Sequence, residues 1–142
     1  MEAALDFSKF PLDAQNNVAA ILEGELAELC KESFLAYIKH VEPSYRPAPF
    51  HLEIIKHLEM LAEGEIRRLM IIMPPQHGKT TLARLFSAWM CGRETRKGFM
   101  ILSYGSSLAK STSAAMRDYV SSPEHQLVFP DCRIDERTRS KD

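Results

Sequence analysis

The run Leu69-Met70-Ile71-Ile72-Met73-Pro74-Pro75-Gln76-His77-Gly78-Lys79-Thr80-Thr81-Leu82 joins five apolar residues to a short loop and then to Gly-Lys-Thr-Thr. Residue types in that order suit a highly charged oxyanion. Gly78 admits close approach of the backbone, Lys79 carries positive charge to terminal phosphates, and the Thr80 hydroxyl is of the kind that ligates Mg2+. A helix opening at this point adds unpaired N–H groups and the positive end of its dipole. The pattern predicts a phosphate-binding loop for a nucleoside triphosphate as its Mg2+ complex, with the amides from Gln76 to Thr80 as the cradle. Around it, Gln76 could reach a terminal phosphate or an attacking water. His77 either faces the phosphates or braces the loop, and Thr81 could orient the metal ligand.

Such a loop needs elements to hold it. The five apolar residues show no alternation, which suits a strand buried on both faces of a parallel sheet. Downstream, Leu82, Leu85, Phe86, Trp89 and Met90 recur at helical spacing as far as Cys91-Gly92, with Gly92 a plausible left-handed cap. A second strand is expected at Phe99 to Leu102, followed by a helix capped by Ser106 or Ser107 and ended by Pro123. Its inner face would be Leu108, Ala115, Met116, Tyr119 and Val120. Upstream, Leu12 to Val41 reads as one long helix or two, with Gly24 the weak point. Glu42 to Pro49 holds three prolines in eight residues and is a linker or extended arm. A further helix begins near Phe50 and stops at Gly64. Strand, helix, strand, helix predicts an α/β fold: a partial P-loop NTPase, its parallel sheet flanked by helices and preceded by an N-terminal helical region. The division is 1–48 for that region with its Pro-rich linker, and 49–142 for an incomplete P-loop ATPase domain.

A standard phosphate loop starts on a glycine five positions before Gly78, and that position is Met73. The variant loop Pro-Pro-Gln-His-Gly-Lys-Thr resembles instead the deviant Walker A of the large terminase subunits of tailed bacteriophages. The likeness continues at Pro49-Phe50-His51, at Ser103-Tyr104, at Leu108-Ala109, at Met116-Arg117-Asp118 and at Val128-Phe129-Pro130, covering residues 34 to 130 in the family's order. It implies an ATP-driven DNA-packaging motor whose full-length form engages double-stranded DNA, a portal and a small terminase subunit. It also implies that Phe50 and His51 sit where relatives contact adenine, making His51 a further nucleotide-binding candidate. Gln76 stands where many relatives carry a loop arginine.

Other expectations follow from what the chain lacks. ATP hydrolysis in this class needs an apolar strand ending in Asp or Asp-Glu, and none is recognisable; Leu127 to Asp131 is broken by Pro130. Nor does anything resemble the family's downstream nuclease. The resemblance places the acidic strand between the two strands named above, so its loss would open a gap in the sheet. The expectation is therefore a terminase fragment, truncated before the acidic strand, that binds ATP weakly and turns it over poorly or not at all. The alternatives are a helicase-like ATPase, a kinase (disfavoured by Met73), or a non-catalytic prophage remnant.

Composition excludes more than it assigns. Eighteen Lys and Arg against 19 Asp and Glu give a net charge of −1, so attraction to a polyanion must be local. Arg93, Arg96 and Lys97 form a charged turn that could touch DNA phosphates. Cys30, Cys91 and Cys132 are widely spaced and form no Cys-x-x-Cys pair, as reduced thiols of a cytoplasmic protein would. No apolar stretch nears the roughly 20 residues of a membrane helix, and the acidic start lacks a signal peptide's basic region.

Overall fold

A computed structural model describes residues 12–94 and 100–134, with side chains described from residue 16. Six helices follow one another: α1 (Leu12–Glu32), α2 (Phe34–Val41), α3 (Pro49–Ala62), α4 (Lys79–Arg93), α5 (Ser106–Ser121) and α6 (Pro123–Val128). Among the described residues there is no strand. The α/β parallel sheet expected from the sequence is thereby overturned.

The physical reason lies in the two apolar runs. A strand exists only where a neighbour satisfies its N–H and C=O groups, and neither 69–73 nor 100–103 pairs with one. Leu69 and Ile71 lean on the core, while Met70 and Ile72 face outward at 83 and 87% exposure. The run that suggested burial on both faces is covered on one. Met100, Leu102 and Tyr104 are likewise exposed, and Phe99 lies outside the described residues.

The core forms where α2, α3, α4 and the segment after α6 converge. Leu82, Leu85, Ala88 and Trp89 of α4 meet Phe34, Tyr37 and Ile38 of α2, with Ile55 and Leu58 of α3 completing the cluster. Phe34 packs 5.2 Å from Trp89 and edge-on to Phe86 at 5.4 Å. The buried indole N–H of Trp89 donates to the Cys30 carbonyl at 2.8 Å, so α1 is tied to α4 without an orphaned donor. The helical stripe expected along α4 is thus the stripe that the core uses.

Local boundaries show where tertiary contact overrules local preference. The Leu12 to Val41 region breaks into two helices, and it breaks at Ser33 rather than at Gly24. The Ser33 hydroxyl accepts from the Ala36 amide at 3.3 Å, and Glu59 of α3 accepts from the Phe34 amide at 2.7 Å. A distant carboxylate therefore helps start α2. Gly92 does not cap α4 in a left-handed turn; it lies inside the helix, where a Cβ would stand 2.2 Å from the Phe129 ring. It is small because an aromatic ring packs on it. Ser106 and Ser107 open α5 but do not cap it, since the N-cap is Gly105. Pro123 does end α5, and it also starts α6 at its first turn. Gly64 ends α3 with a φ of +79°, as expected.

Candidate phosphate-binding loop

Residues 74–78 leave the extended segment and turn into α4 through two left-handed positions, Gln76 (φ 63°) and Gly78 (φ 76°). Gly78 is the N-cap of α4, and the first bond of the helical ladder runs from the Leu82 amide to the Gly78 carbonyl at 3.0 Å. The amides of Lys79, Thr80 and Thr81 precede that ladder and form the open donor end of the helix. Gln76, His77, Lys79 and Thr80 are exposed, while Gly78 and Thr81 are half-buried. The residues selected from sequence are therefore together at one helix N-terminus, open to solvent. Backbone N–H groups displayed around a left-handed turn form a concavity suited to an anion.

The loop is braced from α3. The Ala48 amide donates to His51 Nδ1 at 3.0 Å, so that nitrogen is the acceptor, and Nε2–H donates to the His77 carbonyl at 2.8 Å. Both ring nitrogens of the buried His51 are committed to backbone. Its position one layer behind the loop makes it a support, and the neighbouring Phe50 is the exposed ring. His77 Nδ1–H donates to the Pro75 carbonyl at 2.7 Å, which is the bracing role among its two options. Tyr45 packs against His51 with ring centroids 5.8 Å apart, and its buried hydroxyl has no hydrogen-bond partner among the described residues. Burial raises its pKa. Tyr45 lies in the proline-rich arm of residues 42–49, and an aromatic residue there is the sequence signal that the arm docks.

No family model, curated protein or solved structure matches this chain. The chemistry of the loop must be judged from its own atoms.

Beside it, an apolar cavity of about 640 Å³ lies between α3 and residues 69–74, lined by Phe50, Ile54, Leu69, Ile72 and His77. Its size and lining suit a planar ring. A larger cavity of about 890 Å³ lies elsewhere, between the end of α4, α5 and residues 131–134, and includes none of the loop. Mg2+ binding is less well provided for. Thr80 supplies one hydroxyl, yet no group of three or more His, Cys, Asp or Glu among the described residues could hold a metal ion. Mg2+ usually takes one or two carboxylates besides phosphate oxygens and water. These residues alone do not make a metal site.

The charged turn also divides. Arg93 donates to Glu63 at 2.8 Å and lies 4.6 Å over the Trp89 ring, so it is held against the protein. Arg96 and Lys97 lie outside the described residues. No helix among those described is long and apolar enough to cross a membrane.

Proposed function

We propose that this chain binds a nucleoside triphosphate, ATP in the first instance, through the loop from Gln76 to Thr81. The observation that carries the reading is the left-handed Gly78 at the N-cap of α4, which leaves the following amides open beside the Lys79 ammonium. The Phe50-lined cavity next to His77 supports a base seated on the α3 side. The resemblance to large terminase subunits extends the reading to ATP-driven DNA packaging in the bacterial cytoplasm. In that reading, double-stranded DNA, the portal and the small subunit are partners of the full-length protein, and Mg2+ enters with the nucleotide.

A second reading is favoured by Thr80 standing without a carboxylate cluster. In it the chain binds nucleotide but hydrolyses it slowly or not at all, as a remnant or as one part of a larger motor. Titration with a fluorescent ATP analogue in the presence of Mg2+ tests the common core of both. Binding should weaken at least about tenfold in Lys79→Ala, about 1.4 kcal/mol. Equal affinity of the two proteins would reject the loop as the site. Phosphate release at a rate on the order of 1 s⁻¹ or faster in a steady-state assay, as a competent ATPase shows, would reject the second reading and leave the first.

A further inference from the structure

The face of α1 turned away from the core carries Val18, Ile21, Leu22, Leu26 and Leu29, each between 37 and 61% exposed. Ala27, on the opposite side of the same helix, and Cys30, on its flank beside Leu26, are buried, and α1 packs against α2 and α6. At 100° per residue the five exposed side chains make one stripe about 17 Å long, the length over which a partner helix could lie. α1 thus carries a buried side and an apolar stripe that nothing among the described residues covers.

The edge of the stripe says what should cover it. Glu25, Glu28 and Glu32 fall on and beside its Ile21 side, and α1 holds five carboxylates against a single lysine. That lysine, Lys31, is bonded to Glu28 at 2.7 Å, leaving Glu25 and Glu32 without a cationic partner among the described residues. A second copy laid on this face would set carboxylate against carboxylate, and a nucleic acid or an anionic bilayer would meet the same repulsion. We propose that this face of α1 is a docking surface for a basic amphipathic helix of another protein, its apolar residues spaced by three and four and its flank rich in Lys or Arg. The nucleotide loop plays no part in this surface.

The test uses the whole chain and two synthetic helical peptides with the same leucine stripe, one flanked by lysines and one by glutamates. Calorimetric titration should show the lysine peptide binding at least tenfold more tightly, by about 1.4 kcal/mol, and weakening as salt rises. Leu22→Asp combined with Leu29→Asp should abolish binding, and since both side chains are more than half exposed and outside the core, the protein should still unfold in one cooperative transition, its midpoint only modestly lowered by the added like charges. Glu25→Lys combined with Glu32→Lys should reverse the preference between peptides. Equal affinities, no binding of the lysine peptide up to about 1 mM, or binding indifferent to the aspartate pair would each overturn the proposal. So would a concentration-dependent dimer that the aspartate pair dissolves, which would assign the face to a second copy.

Discussion

Gly78 is the residue on which the loop turns, and a backbone dihedral and a close neighbour both favour glycine there. Its φ of 76° disfavours any side chain by about 1 kcal/mol, and a Cβ there would stand 3.1 Å from His51 Nε2. Gly78→Ala should therefore lower stability by about 1–2 kcal/mol in urea denaturation and weaken nucleotide binding, because the His51 brace must shift. His125 makes a separate prediction at this scale. Fully buried against Phe129, its ring bonds the Tyr37 hydroxyl at 2.8 Å through Nδ1, and Nε2 meets no partner among the described residues. Burial lowers its pKa from 6.5 to about 4. Between those values the unfolded chain takes up a proton that the folded chain refuses. Stability from this group is complete above pH 6.5, declines as pH falls, and reaches its floor near pH 4, a loss on the order of 3 kcal/mol. Urea midpoints measured across that window should show the decline, and His125→Asn should remove this component while destabilising the protein at neutral pH. The Gly78 signal was legible in the sequence because Gly-Lys-Thr is a local pattern. The Tyr37–His125 pair was not, since 88 residues separate its members.

Among the elements, α4 shows both sides of the same lesson. Its buried stripe from Leu82 to Trp89 follows from spacing alone, and so do the ends of α3 at Gly64 and of α5 before Pro123. Gly92 was misread because a glycine near a helix end usually serves as a left-handed cap; here it admits the Phe129 ring, a contact that no local pattern encodes. The consequence is testable. Gly92→Ala should cost about 1–3 kcal/mol by overpacking, and combining it with Phe129→Leu should recover part of that loss in a double-mutant cycle. Additive losses would show that Gly92 is small for some other reason. The break between α1 and α2 belongs to the same class, since Glu59 acts on it from another helix.

For the whole molecule, the decisive feature is how much apolar surface stays uncovered. Met70, Ile72, Met100, Leu102 and Tyr104 are between 83 and 98% exposed, more large apolar groups than a solitary protein usually shows to water. The chain should associate as its concentration rises and should enhance the fluorescence of an apolar dye. Ile72→Lys combined with Leu102→Lys should reduce both effects, read by sedimentation and dye titration, without lowering the thermal midpoint, because neither side chain contributes to the core.

From the amino-acid order alone came the placement of Gly78, Lys79 and Thr80 at a helix N-terminus, the apolar stripe of α4 and the proline and glycine stops, all set by interactions within a turn or two of chain. Whether 69–73 and 100–102 become strands was decided in three dimensions, because a strand needs a neighbour to satisfy its backbone and apolar periodicity cannot supply one. The hydrogen-bond partners of His51 and His125 and the ring packed on Gly92 were settled at the same level. Each depends on an atom brought near by folding, and its identity is invisible in the local sequence.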